Sequence, residues 1–274
     1  MKPRRKKMTI IFIILALLVL WVWWGNGAVR LTEHTIAHPD LPKSFSGMKI
    51  AHISDLHNAE LGKDNEKVLK ILREAQPDLI AITGDLIDSR RTDIATSVNF
   101  VQQAVKIAPT YYATGNHESR IADYPKLEEA MVEAGVIVLR DEYRDIERDD
   151  EKIRIIGLED PAFKKHTSDQ TAQVLSSLGA AEGFSLVLAH RPELLDAYAR
   201  AEADVVLSGH AHGGQVRIPF IGGIIAPHQG FFPELTEGLH EENGTYLVIS
   251  RGLGNSLFPF RVNNRPEVVL ITFE

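Results

Sequence analysis

The 274-residue chain contains no cysteine. That absence excludes disulfides, thiolate metal ligands and a cysteine nucleophile together. Any metal must sit on His, Asp, Glu or Asn, a ligand set suited to Mn, Fe or Zn rather than to iron–sulfur clusters. Low-complexity tracts and solenoid-type repeats are also missing. Positive charge is scarce over most of the chain. The formal net charge is −7, and the first 30 residues hold six basic residues and no acidic ones, so removing them leaves −13 on the rest. Such an acidic body is a poor match for nonspecific nucleic-acid binding. A small phosphorylated substrate stays compatible, because bound cations would reverse the local potential.

What is present reads first as an ordinary globular protein, at 44% hydrophobic and 24% charged. One long apolar run stands out. Behind the basic patch Lys2, Arg4, Arg5, Lys6 and Lys7, residues Met8 to Trp24 carry no charge. The run is short for a membrane-spanning helix but long for the core of a signal peptide. Trp21, Trp23 and Trp24 lie where interfacial aromatics anchor a helix. The reading is a single-pass anchor with the N-terminus in the cytoplasm and the domain outside it; the alternative is export after signal cleavage, for which Asn26-Gly27-Ala28 is a poor site. The expected organisation is therefore a basic terminus and anchor over 1–30, a linker over 31–47 marked by Pro39, Pro42 and Gly47, and one domain over 48–274.

Within that domain, short β-rich runs end in polar or glycine-containing loops. They are Met48–Ser54, Leu79–Thr83, Thr110–Ala113, Val136–Leu139, Ile153–Leu158, Ser185–Ala189, Val205–Ser208, Thr245–Ser250 and Val268–Phe273. Helical candidates lie at Asn65–Ala75, Asp93–Ile107, Tyr124–Ala134, Asp169–Leu178 and Pro192–Arg200. This alternation predicts an α/β fold with helix-covered sheets. The charge-dense stretch Arg140–Lys152 reads as a solvated turn.

Metal-binding residue types collect just after five of these runs: Asp55-Leu56-His57, Gly84-Asp85-Leu86-Ile87-Asp88, Gly115-Asn116-His117-Glu118, His190, and Gly209-His210-Ala211-His212. Sites in open α/β sheets form beyond the carboxyl ends of strands, so five strands converge on one place. Asp55 and His57, like His210 and His212, stand two apart and can address one ion. Asp85 is an anion able to lie between two cations, and Asn116 offers a neutral carbonyl oxygen. Each motif alone reads as a turn; all five in order do not.

These motifs, with Ala189-His190-Arg191-Pro192 and the continuation Gly213-Gly214-Gln215, resemble the calcineurin-like metallophosphoesterases, in particular a bacterial, membrane-anchored and envelope-associated branch. The resemblance implies a four-layer α/β/β/α sandwich with a dinuclear site. It implies that Asp55, His57, Asp85 and His212 bind one ion and that Asp85, Asn116, His190 and His210 bind the other. His117 matches a catalytic, non-ligand histidine near the leaving group, followed here by Glu118 where many members have Asp. The expected cofactor is a pair of divalent ions, Mn before Fe or Zn. A hydroxide shared by two such ions would attack phosphorus. Asp88 and Glu118 are candidates to orient the histidines behind the site.

Four further positions are substrate candidates: His228 in the segment Pro219–Pro233, and Arg251, Asn255 and Arg261 after the eighth run. That segment, with Phe220, Phe231 and Phe232, reads as a packed loop, or else as a lid or a lipid contact. The expected function is hydrolysis of a phosphodiester or phosphomonoester on a small or lipid-linked cell-envelope substrate. The alternatives are a nucleotide-linked lipid diphosphatase and a catalytically silent scaffold of the same fold.

Overall fold

The described residues of this computed structural model are 3–256 and 258–274. Lys2, and the side chains of Arg4, Arg5 and Lys6, lie outside them. In chain order the elements are α1 (Pro3–Gly27), β1 (Arg30–Ile36), β2 (Lys49–Ile53), α2 (Glu66–Ala75), β3 (Leu79–Thr83), α3 (Ile94–Ala104), β4 (Thr110–Ala113), α4 (Tyr124–Glu133) and β5 (Ile137–Val138). There follow β6 (Glu142–Arg148), β7 (Glu151–Gly157), α5 (Pro161–Lys164), α6 (Ser168–Ser177), β8 (Ser185–Leu188), α7 (Leu195–Arg200) and β9 (Val205–Ser208). Four two-residue strands, β10 (Arg217–Ile218), β11 (Gly222–Gly223), β12 (Ile225–Ala226) and β13 (Gly230–Phe231), form two small ribbons before β14 (Gly238–Glu242), β15 (Thr245–Ile249) and β16 (Glu267–Phe273).

Two mixed six-stranded sheets carry the fold, in the orders β1-β16-β2-β3-β4-β5 and β14-β15-β9-β8-β7-β6. Strands β2 to β5 run parallel, as do β15, β9, β8 and β7. Alternation inside the strands sorts the core into three layers. In β3, Leu79 and Ala81 face the second sheet, where they meet Leu186, Leu188, Val205 and Leu207. Ile80 and Ile82 face the other way, against Val68 and Leu72 of α2, Phe100 of α3 and Leu127 of α4. The outer face of the second sheet packs Val187 and Val206 on Leu175 of α6 and Tyr198 of α7. The layers therefore run helix, sheet, sheet, helix. Truncating one of these side chains, as in Leu72→Ala, costs about 2–5 kcal/mol.

Two expectations are corrected here. Residues 31–47 are not a free linker, because Arg30–Ile36 pairs in parallel with β16 and Ile36 is buried. The charged stretch 140–152 is not a turn but largely β6, paired antiparallel with β7. Both are edge strands. Their sequences alternate charge with a few apolar residues because one side has no partner strand, and exposed charge there discourages edge-to-edge aggregation.

Helix α1 includes Lys7–Gly27, the one segment among the described residues that is long and apolar enough to cross a membrane. Its 21 residues rise roughly 32 Å at about 1.5 Å each, close to the thickness of a hydrocarbon core.

Candidate metal centre

The carboxyl ends of β2, β3, β4, β8 and β9 meet at one edge, and every expected ligand lies there. The chain turns so sharply off these strands that Asp55, Asp85 and His210 have φ of 52°, 51° and 66°, and His57 and His212 follow at 47° and 49°. Non-glycine residues in this left-handed region cost about 1–3 kcal/mol and concentrate at functional sites. Close approach is enforced nearby. A Cβ on Gly115 would collide with the Asp85 carboxylate, and one on Gly209 would collide with Ser54 and Asp55.

Three groups of three buried side chains could each hold an ion, and the third, His57–Asp85–His117, overlaps the two that contain the expected ligands alone, Asp55–His57–His212 and Asp85–His190–His210. In the first, Asp55 Oδ1 lies 3.4 Å from His212 Nε2 and 3.7 Å from His57 Nε2. In the second, Asp85 Oδ2 lies 3.2 Å from His190 Nε2, and His210 Nδ1 is 3.2 Å from that same nitrogen. Asp85 Oδ2 is also 3.5 Å from His57 Nε2, so one oxygen touches both groups. The remaining carboxylate oxygens are tied down. Asp55 Oδ2 accepts from Ser54 Oγ at 2.6 Å and from the His210 amide at 3.0 Å; Asp85 Oδ1 accepts from the His117 amide at 2.8 Å.

The donor set fits divalent cations. Asp55 Oδ1 and Asn116 Oδ1 are buried with no hydrogen-bond donor, which is costly unless a cation is their partner. His190 Nδ1–H donates to the Thr83 carbonyl at 2.7 Å, leaving the Nε2 lone pair for the site. Burial works against the charges of both acids, yet the surrounding imidazoles, His212 for Asp55 and His190 for Asp85, hold them below the usual carboxylate range. Burial lowers the pKa of His212 to about 3. Burial also lowers His190, but Asp85 more than reverses this and raises it to about 10.

Residues 48–214 match the calcineurin-like phosphoesterase family. The chain belongs to that family. It is 30% identical to the metallophosphoesterase YkuE of Bacillus subtilis, over 90% of this chain and 86% of that protein. It is 27% identical to the phosphodiesterase YaeI of Escherichia coli, over 89% and 88%. A 5'-nucleotidase precursor from Thermus thermophilus shares the fold, with a TM-score of 0.50 at 16% identity over 82% of this chain and 54% of that one. With its dinuclear metal-binding site, the chain is a metal-dependent phosphoesterase.

His117, the expected catalytic histidine, lies beside these groups. Its ring stands edge-on to His57, with centroids 4.5 Å apart, and its Nδ1 accepts from the Ser89 amide at 3.0 Å. Asp88 Oδ1 lies 3.7 Å from that Nδ1. Glu118 does not reach the imidazole. Its Oε2 accepts from the amides of Asp85 and Gly115 at 2.9 and 2.8 Å, tying the Asp85 and Asn116 loops together, and burial raises its pKa to about 7.

A cavity of about 290 Å³ opens over the centre, lined by Asn116, His117, His210 and His212, with Arg90, Arg120, His228 and Phe258 farther out. His228 stacks on His210 at 5.2 Å, and its Nδ1 lies 2.9 Å from Arg191 Nη1 and 3.0 Å from His210 Nε2. Arg251 and Asn255 are not brought to this cavity. Arg251 is engaged by Glu237 and Glu267, and Asn255 Oδ1 accepts from Arg261 Nε. Those acids lie upstream and downstream of the loop, where no local motif announces them. Arg261 is buried behind His212, its Nη2 3.3 Å from Nδ1. Arg191, held by Asp160 at 2.6 Å, is not among the expected site residues, although it directly follows His190. Asp160 lies just beyond β7, so the strand-end rule that found the ligands also pointed to it.

Proposed function

We propose that Asp55, His57, Asp85 and His212 hold one divalent ion and that Asp85, Asn116, His190 and His210 hold the second, with manganese favoured. The carrying observation is Asp85 Oδ2, placed between His57 and His190 at 3.5 and 3.2 Å. When bound, such ions supply an activated water and offset charge on the phosphoryl oxygens.

The chain's own residues do the rest. Asp55 is fixed by Ser54 and the His210 amide, so its free oxygen stays aimed at the site. With Nδ1 occupied by the Ser89 N–H, the neutral His117 ring carries its proton on Nε2, facing the cavity near Ser256. Burial lowers its pKa to about 4, so the ring is neutral at pH 7. It therefore stabilises charge on the leaving oxygen by donating a hydrogen bond. Asp88 and Glu118 serve the site from behind, the first beside His117 and the second through the loop amides.

The substrate reading is a phosphoester, a diester before a monoester, in line with the name of the relative YaeI. Helix α1 anchors the chain in a membrane with the basic end in the cytoplasm and the folded body, beginning at β1, on the other side. A relative from Danio rerio, 26% identical over 95% of this chain and 62% of its own length, is named a transmembrane protein with a metallophosphoesterase domain. The test is hydrolysis of bis-p-nitrophenyl phosphate by the full chain in detergent. Turnover with Mn²⁺ that chelator abolishes and Mn²⁺ restores is expected. Two bound ions without turnover on any phosphoester would instead favour the scaffold.

A further inference from the structure

Apolar surface on the body is unevenly placed. Outside α1, eleven large hydrophobic side chains are exposed among the described residues, and seven of them fall in residues 218–232 and 258–260. These two segments border the metal cavity, since Ile225–His228 and Phe258 line its wall. Phe220, in the turn of the first ribbon, is 109% exposed, and Phe231 and Phe232, at the open end of the second, are 74% and 63% exposed. Phe220 and Phe232 have φ of 69° and 54°, a conformation that bulky residues adopt at a cost of about 1–3 kcal/mol. Glycine or asparagine would sit there with less strain, so the aromatic side chains need a reason to be displayed.

The membrane anchor ends at this same rim. Asn26 Nδ2 donates to the Arg261 carbonyl at 2.9 Å, and Asn26 Oδ1 accepts from the Arg261 amide at 2.7 Å. Arg265 lies over the Trp24 ring at 5.1 Å and donates to the Ala28 carbonyl at 2.7 Å. Only Ala28 and Val29 separate α1 from β1. A bilayer that takes α1 is therefore brought to the loop bearing Phe258 and Phe260. Behind these aromatics, Arg90 and Arg120 line the cavity and complement an anionic headgroup.

We propose that the mouth of the metal centre rests on the bilayer that holds α1, with Phe220, Phe231, Phe232, Phe258 and Phe260 among the headgroups, and that the site takes phosphoesters carried on lipids. Aromatic rings favour that interfacial zone, where an apolar face is buried beside water. The substrate half of the proposal rests on the phosphoesterase reading above; the docking half does not.

The absence of cysteine makes the test clean. Full chains carrying Phe220→Cys, Phe231→Cys or Val132→Cys are each labelled with an environment-sensitive dye and reconstituted into phosphatidylcholine–phosphatidylglycerol vesicles. Val132 is also exposed, but lies at the end of α4 remote from the strand carboxyl ends. Dyes at 220 and 231 are expected to shift blue and to be quenched by bilayer-embedded spin labels, while the dye at 132 is not. Equal, water-like signals at all three overturn the docking. For the substrate, bis-p-nitrophenyl phosphate in solution is compared with hexadecyl p-nitrophenyl phosphate in the vesicles. The vesicle ester is expected to be preferred by about tenfold or more, the scale of burying apolar surface at an interface. A triple Phe220→Ser, Phe231→Ser, Phe232→Ser chain should lose that preference and keep its rate on the soluble ester. No preference in the unaltered chain overturns the lipid substrate. Failure to cleave either ester with Mn²⁺ overturns the phosphoesterase reading and with it the lipid substrate, and the dyes still decide the docking.

Discussion

The floor and the rim of one cavity are built by opposite rules. On the floor, Asp55, His57, Asp85, Asn116, His190, His210 and His212 are all 3% exposed or less, and strand ends from both sheets hold them. At the rim, Phe220 and Phe231 are exposed on ribbons built from two-residue strands. Neither sheet makes the floor alone, since both acids and the amide come from one and His190, His210 and His212 from the other. The floor is thus a property of the whole fold, whereas the rim is local. Chemistry and substrate delivery can then change separately, and each prediction below presses on that separation.

The largest effect belongs to the proposed bridging residue. Asp85→Ala removes the oxygen common to the two groups and the acceptor of the His117 amide. Bound metal should fall from two ions to one or none, read by elemental analysis. The loss of several kcal/mol of charge stabilisation amounts to about three to four powers of ten in kcat/KM. A variant that kept two ions and more than a tenth of the rate would remove Asp85 from the bridge.

His117 is on the floor without being a proposed ligand, so it separates chemistry from metal loading. His117→Ala should retain both ions and lose about 10²- to 10⁴-fold in kcat. The defect should be smaller for a p-nitrophenyl leaving group than for an alkyl one, because a good leaving group needs less help. An equal defect for both would remove His117 from the leaving oxygen.

Next comes the reach of the floor's support. Trimming after residue 27 removes the anchor and the Asn26 tether but no strand. Trimming to residue 45 also removes β1, with the burial of Ile36, the bond from Thr32 Oγ1 to Glu267 and the ladder to β16. The shorter chain should be less stable by at least about 3 kcal/mol, from one buried side chain plus several hydrogen bonds, read as a lower urea midpoint. Equal midpoints would make residues 28–45 dispensable.

That contrast also marks where the sequence was legible. The nine apolar runs all became strands, because most are central and buried on both faces, and a continuous Val, Ile and Leu run is a strong signal. Three strands of the two large sheets went unseen, β1, β6 and β14, and each is a sheet edge. Their sequences, such as Glu142-Tyr143-Arg144-Asp145-Ile146-Glu147-Arg148, satisfy solvent on one side and carry too little apolar pattern to read as strand. At the site, position after a strand end located the proposed ligands. Contacts between distant loops, such as Glu118 with the Asp85 amide, or Arg251 with Glu237 and Glu267, have no local signature.

The smallest effect is expected where floor and rim meet, at Arg90. Its side chain is 42% exposed on the cavity wall, and its Nε lies 3.3 Å from Asp88 Oδ1. The buried Asp88 carboxylate keeps the Arg90 amide and Arg91 Nη2 as donors at 2.9 and 3.0 Å when the half-exposed guanidinium is removed, so Arg90→Ala should lower stability by only about 1 kcal/mol. Its charge matters more to an incoming anion. KM for bis-p-nitrophenyl phosphate should rise about three- to tenfold at low salt, with kcat held within about twofold, the signature of lost uniform binding. Because exposed charges are screened over roughly 10 Å at 0.1 M salt, the difference in KM should shrink as ionic strength rises. A fall in kcat with unchanged KM would mean that Arg90 acts through Asp88 on His117, and would move it from the rim to the floor.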